Sequence, residues 1–296
     1  MKLTVLDIGG TSIKSAVYRD GCLHEIEEYE TEAEKGGSCI VSKVCQIIKT
    51  KGICDGIGIS TAGQVDNVTG TIIHANDNLP GYTGIQLGKI LNTQFGVPVA
   101  VENDVNAAAL GEGHFGAGQG EKNYLCLTYG TGVGGAIVIN GELYRGFSGA
   151  AGEFGSMIIH GKETEAGRRI SGSYENYAST KVLVRKVQEV NPEIKTGRQV
   201  FSNFDRPWVH QIVDEWIDEI AHGLVTLIHV FNPGCVILGG GVMKQPYVVE
   251  SVKKNVLSRI MPSFADVKIC PAALENRAGL WGAVYLAEKK STEHCF

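Results

Sequence analysis

The run Glu102-Asn103-Asp104-Val105-Asn106 holds residue types that can move a proton. Ahead of it, Gly96-Val97-Pro98-Val99-Ala100-Val101 is a short apolar run that reads as a buried strand. After it, Ala107-Ala108-Ala109-Leu110 reads as the start of a helix. At such a junction Asn103 or Asp104 is the N-cap, its side-chain oxygen accepting a free backbone N–H. The positive end of the helix dipole favours a charged carboxylate there. Asp104 is therefore expected to be an ionised acceptor, beside a neighbour that both donates and accepts. A base that orients a hydroxyl needs this arrangement. On this stretch alone, a plain helix cap is the alternative.

Three glycine turns could receive an anion. Asp7-Ile8-Gly9-Gly10-Thr11-Ser12 lies between strands expected at 2–6 and 13–18. Its two glycines permit positive φ and let backbone N–H groups point at a phosphate. Thr11 and Ser12 add hydroxyls, Lys14 adds charge, and Asp7 can hold magnesium through water. An ordinary hairpin turn is the plain alternative. Tyr129-Gly130-Thr131-Gly132-Val133-Gly134-Gly135 repeats the pattern between Asn123–Thr128 and Ala136–Ile139. A strand–turn–strand echo at this distance suggests a duplicated fold. Gly239-Gly240-Gly241 follows the strand Val236-Ile237-Leu238; alone it is weak, a tight turn being the alternative. A further loop, Gly149–Met157, carries Glu153.

The remaining elements must position these turns. Helices are expected over 36–50, 83–94, 208–231, 246–261 and 277–288, with strands over 56–60 and 267–270. In 208–231, Ile212, Val213, Trp216, Ile220, Leu224, Leu227 and Ile228 form an apolar stripe that reads as core. Asn76–Tyr82 reads as a loop, and Ser173–Ser179 opens a helix. Gly116–Gly120 is the candidate hinge.

Composition bounds the function. The 296 residues suffice for two domains. A hydrophobic share of 43% with 20% charged residues fits a folded enzyme, not a disordered chain. A net charge of −5 without a Lys/Arg cluster argues against a nucleic-acid face. The eight cysteines form no C-x-x-C pair and read as free thiols of a reducing cytosol. No leader or apolar run of about 18 residues is visible, so neither membrane insertion nor export is expected. The eight histidines show no metal spacing, and His160, His210, His222 and His229 read as surface or core residues.

The motifs Asp7–Thr11, Glu102–Asp104, Thr128–Gly135, Gly152-Glu153-Phe154-Gly155 and Leu238–Gly241, in this order, resemble those of the ROK family (repressors, open reading frames, kinases). The resemblance covers essentially the whole chain. It implies an α/β fold of two duplicated ribonuclease-H-like domains, the actin-like ATPase fold, with an active-site cleft between them. The expected small domain is 1–117 with about 278–296, and the large domain 118–277. By this resemblance Asp104 is the catalytic base for a sugar 6-hydroxyl. Gly63, Asn78, Asn103, Asp104, Glu153 and Glu175 would bind the sugar. Asp7, Gly9, Gly10, Thr11, Lys14, Gly130, Thr131, Gly132, Gly134, Gly239 and Gly240 would hold ATP with its Mg²⁺.

The chain departs from the family where the family binds zinc. Ser156 stands where a zinc-ligating histidine is usual, and 166–175 keeps Glu175 but lacks the family's three cysteines. No structural zinc is therefore expected. The zinc-free branch includes β-glucoside kinases and proteins assigned as N-acetylmannosamine kinases. The leading expectation is an ATP-dependent kinase of a hexose or β-glucoside, cytoplasmic and homodimeric, with N-acetylmannosamine kinase or glucokinase as alternatives. A sugar-responsive repressor is disfavoured because no DNA-binding helix-turn-helix precedes the first strand. A sugar-binding protein without catalysis is disfavoured by the intact Asp104 and phosphate turns.

Overall fold

A computed structural model describes residues 1–161 and 172–293. In chain order the elements are β1 (Leu3–Ile8), β2 (Ser12–Arg19), β3 (Cys22–Glu30), α1 (Gly37–Lys51), β4 (Gly56–Thr61), β5 (Gln64–Asp66), β6 (Thr71–His74), α2 (Leu87–Phe95), β7 (Val99–Asn103), α3 (Asp104–Phe115), β8 (Tyr124–Tyr129), β9 (Val133–Ile139) and β10 (Glu142–Leu143). They continue as α4 (Glu175–Ala178), α5 (Thr180–Val190), α6 (Gly197–Ser202), α7 (Pro207–Phe231), β11 (Cys235–Gly239), α8 (Pro246–Leu257), β12 (Lys268–Pro271) and α9 (Ala278–Glu293). The chain divides into two compact units. One is Met1–Gly120 with Arg145–Ala150 and Asn276–Phe296; the other is Glu121–Tyr144 with Ala151–Glu275.

The first unit has a five-stranded sheet ordered β3-β2-β1-β4-β7. β1 and β2 are antiparallel, while β1, β4 and β7 run parallel. β4 is buried at every residue, as a parallel strand covered on both faces must be. One face packs on α1 and α2 through Leu6, Ile40, Val44, Ile57 and Leu91. A second cluster joins Leu3, Val5 and Ala16 to Leu280, Ala283, Val284 and Ala287 of α9. Small residues let α9 come close: a side chain on Gly58 would strike the Ala283 carbonyl, and one on Gly282 the Ala107 carbonyl of α3. β5 and β6 form a separate hairpin.

The second unit repeats the plan with the order β10-β9-β8-β11-β12. β8 and β9 are antiparallel, and β8, β11 and β12 run parallel. Its core gathers Leu127, Leu238, Trp216, Ile220 and Leu224, so the apolar stripe of α7 is buried. Trp216 donates its indole N–H to the Ala178 carbonyl at 2.9 Å, satisfying its polar atom in the core.

Three helix boundaries differ from expectation, the first being that the last helix, expected to end at 288, runs on to Glu293. The helix expected from residue 83 begins at Leu87, because Tyr82–Gln86 is spent in turns, with Gly84 at φ 85°. The helix expected over 246–261 stops at Leu257, where the N–H of Ser258 closes the last turn on the Lys254 carbonyl. Among the described residues no helix is long and apolar enough to cross a membrane.

Candidate active site

In the first unit the candidate residues sit at the ends of parallel strands. β7 ends at Asn103 and α3 begins at Asp104. Asn103 is the N-cap: its Oδ1 accepts the N–H of Val105 at 3.0 Å and of Asn106 at 3.1 Å. Its amide Nδ2 donates to the Gly63 carbonyl and to Asp104 Oδ1, each at 2.9 Å. Gly63 needs its missing side chain, since it lies at φ 99° with the His74 carbonyl only 2.7 Å from where a Cβ would stand. The structure thus brings Gly63, Asn103 and Asp104 together. Asn78 sits in an exposed turn, its N–H bonded to Asn76 Oδ1 at 3.1 Å.

Asp104 departs from the expected charge logic. Burial, with the nearby charge of Asp7, pushes its carboxyl up to about 6. The N–H of Val105 at 2.9 Å and the Asn103 amide pull the other way without winning. The helix start thus does not dominate. Asp104 still ionises mainly near neutrality, and a carboxylate tuned toward the working pH is a better general base than an ordinary one.

Asp7 closes the other side of this strand end. Ser60 Oγ donates to its Oδ1 at 2.7 Å, and Lys14 Nζ lies 3.8 Å from its Oδ2. Burial nevertheless raises its carboxyl above the usual range. Gly279, near the start of α9, faces Asp7: a Cβ there would meet Asp7 Oδ1 at 2.7 Å and Ser60 Oγ at 2.9 Å. The Gly9–Thr11 turn is tied down by Thr31, whose Oγ1 donates to the Gly9 carbonyl at 2.7 Å and whose N–H donates to the Thr11 carbonyl at 3.0 Å. Neither Gly9 nor Gly10 adopts positive φ, contrary to the expectation. The space beside Gly10 is open, and what its missing side chain provides is room for another group.

Sequence reasoning quoted Glu102 but missed its partner. Glu102 is almost fully buried. Its Oε2 accepts from Arg145 Nη2 at 2.7 Å, and its Oε1 accepts the Asn103 N–H at 3.0 Å and the Asn106 amide at 3.1 Å. A buried carboxylate so satisfied holds the backbone that aims Asp104. Arg145 and Gly279 carried no local signal, being 43 and 272 residues distant from the residues they serve, 102 and 7.

In the second unit three predicted pieces converge. A Cβ on Gly132 would meet Glu175 Oε2 at 2.5 Å, and one on Gly155 would meet it at 3.0 Å. The Gly130–Gly135 turn, the loop carrying Glu153 and the start of α4 therefore lie side by side. Thr180 Oγ1 donates to the Tyr129 carbonyl at 2.9 Å and the Lys181 N–H to the Gly130 carbonyl at 3.2 Å, anchoring the turn on α5. Thr131 is exposed, while Gly132 and Gly134 are half-buried. Gly240 holds φ 112° against the Tyr129 carbonyl, so the β11 turn reaches the same strand end as Gly130; Gly239 ends β11, paired with Thr128. Glu153 and Ser156 are exposed. Of the run 166–175 compared with the zinc-binding family pattern, 166–171 fall outside the described residues.

Comparison with known proteins agrees with the geometry. A β-glucoside kinase of Listeria innocua is 33% identical over 303 residues, covering 99% of this chain and 100% of that protein. The structure of a glucokinase from Streptomyces griseus in complex with glucose and AMPPNP superposes with a TM-score of 0.84 at 30% identity, covering 98% of this chain and 100% of that one. A Listeria monocytogenes protein, described provisionally as an N-acetylmannosamine kinase, superposes at 0.88 with 31% identity over all of both chains. The paired sheets are thus those of the actin-like ATPase fold. The family model for ROK proteins matches residues 3–290, and the chain belongs to the ROK family.

Proposed function

We propose that the protein is an ATP- and Mg²⁺-dependent sugar kinase acting on the 6-hydroxyl of a hexose or β-glucoside. The observation that carries this reading is Asp104, a carboxyl tuned to about 6 and oriented by Asn103 and the Val105 N–H. A 6-hydroxyl beside it gives its proton to Asp104 as the hydroxyl oxygen bonds to the γ-phosphorus. The bond from that phosphorus to the β-phosphate oxygen breaks, and ADP leaves. Asn103, Gly63, Asn78, Glu153 and Glu175 would hold the sugar hydroxyls. The turns at Gly9–Thr11, Gly130–Gly134 and Gly239–Gly240 would take phosphates and adenosine on backbone N–H groups, with Lys14 adding charge and Asp7 placing magnesium through water.

The acceptor we favour carries a substituent on carbon 1. Ser156 is small and exposed where the family's larger histidine is usual. Tyr174, one of the side chains of the 161–175 segment that could refill that space, is fully buried; its hydroxyl donates to the Ile220 carbonyl and lies 2.8 Å from the Tyr129 hydroxyl. This supports a β-glucoside over N-acetylmannosamine or free glucose. Activity in the cytoplasm as a homodimer belongs to the same proposal.

The test is ATP consumption with cellobiose, a simple β-glucoside, glucose and N-acetylmannosamine, on wild type and Asp104→Asn. The glycosides should match or exceed glucose in kcat/KM. Asp104→Asn should lose about 10²–10⁴-fold in kcat with sugar affinity nearly intact. Strong monosaccharide activity with none on glycosides sinks the carbon-1 reading; a variant retaining more than about a third of kcat removes Asp104 as the base.

A further inference from the structure

We propose that His160, Glu219 and His222 form a binding site for a divalent transition-metal ion, zinc being the best match. One donor atom from each residue lies within 4.8 Å of the others. Glu219 and His222 are three residues apart on α7, so the helix presents both on one face. His160 Nε2 lies 2.7 Å from Glu219 Oε2, and His222 Nδ1 lies 3.4 Å from the same oxygen. Two imidazoles therefore converge on one carboxylate oxygen. Donors bound to a tetrahedral zinc at about 2.0–2.2 Å stand about 3.3–3.6 Å from each other. The His222–Glu219 separation already has that value, and His160 needs to retreat by less than about 1 Å to admit the ion.

The supports of this cluster are stiff. α7 is anchored beneath it by Trp216, Ile217 and Ile220, all buried. The His160 ring packs on Tyr177 with centroids 4.2 Å apart. The backbone N–H of His160 donates to the Gly172 carbonyl at 3.1 Å, and any side chain at Gly172 would collide with the His160 carbonyl. His160 and His222 side chains keep 34% and 45% of their surface exposed, so an ion can enter and keep water as a fourth ligand. Two imidazoles and one carboxylate suit zinc better than calcium or magnesium, which prefer oxygen alone.

The site is distinct from the positions that carry zinc ligands elsewhere in the family, Ser156 and 166–175. Its consequence is mechanical. The segment of His160 pairs with residues 172–174, where the Tyr174 N–H donates to the Met157 carbonyl at 2.7 Å, and Glu175 follows directly. An ion joining His160 to α7 clamps the strand pair that leads into Glu175.

The experiment titrates chelator-treated full-length protein with zinc chloride against a chromogenic competing chelator. Melting is measured in parallel on wild type, His222→Ala, Glu219→Gln and His210→Ala. His222 is exposed and His210 is half-buried with 44% of its side chain accessible, so their alanine variants should fold. One zinc per chain is expected in wild type and in His210→Ala, with a melting rise of about 5 °C at 100-fold excess over Kd. His222→Ala and Glu219→Gln should weaken binding at least about tenfold. Failure of wild type to take up one equivalent overturns the proposal. So does zinc uptake unchanged in both variants, which would place the ion on cysteine thiols.

Discussion

The ends of the two sheets were built on one plan and have diverged in charge. In the first unit, the residue of β1 one pair before the turn is Asp7, opposite Lys14 on β2 and Ser60 on β4. In the second, the matching residue of β8 is Thr128, opposite Gly134 on β9 and Gly239 on β11. Beyond β4 the first unit adds Glu102 and Asp104, whereas beyond β11 the second reaches Pro271 and Ala272. One strand end thus gathers carboxyls, of which burial raises the proton affinity of Asp7 and Asp104; the other offers glycines and open backbone. Two equivalent scaffolds carry different side chains at equivalent rungs, and on the proposed function these would divide acid–base work from anion binding.

That division can be broken at Asp104, where the effects are largest. Activity that depends on an ionised Asp104 should rise through pH about 6 and level off above it. Stability should move oppositely. A carboxyl whose folded value lies above its unfolded value favours the native state below about pH 4, and that contribution is lost as pH rises through about 6. Asp104→Asn should therefore melt higher than wild type at pH 7.5 and lose that advantage near pH 4. A kcat/KM profile flat from pH 5 to 8, or a variant that melts lower at pH 7.5, would contradict the reading.

Next in size is Gly240→Ala on the glycine side. The φ of 112° and the approach to the Tyr129 carbonyl forbid a side chain. The variant should lose about 1–3 kcal/mol and melt several degrees lower. Its KM for ATP should rise more than its KM for sugar. Equal changes in both would mean that the turn has no special tie to the nucleotide.

The smallest effect belongs to the charges that the second unit does carry beside its sheet. Lys268 pairs with Glu121 at 2.6 Å, but its side chain is 68% exposed. Lys268→Ala should shift Tm by no more than about 1 °C and leave kcat unchanged. A larger loss would show that charge is structural in the second unit too.

Much of this comparison could be read from the chain because it rests on local pattern. The strand–turn–strand echo, the Asn103–Asp104 helix start and the stripe through Trp216 all follow from spacing within a few residues. β3 escaped notice because it is an exposed edge strand rich in glutamate, with no apolar alternation to mark it. The pairing of Glu102 with Arg145, the press of Gly279 on Asp7 and the convergence of His160 with α7 were invisible for another reason. Each joins residues far apart in sequence, and only the fold decides which distant polar groups meet. The rise in Asp104 likewise needed the burial that tertiary packing supplies.

The seating of α9 also bears on how the molecule is made. Leu3, Val5 and Ala16 share one buried cluster with Leu280, Ala283, Val284 and Ala287, with Tyr18, Leu23 and Phe115 packed at its margin. At typical synthesis rates of about 5–20 residues per second, that face of the first sheet stays bare for roughly 10–60 s after β1 emerges. Glu121–Tyr144 and Ala151–Glu275 are complete before α9 appears. The second unit can therefore settle first, while the sheet face made earliest waits for the helix made last.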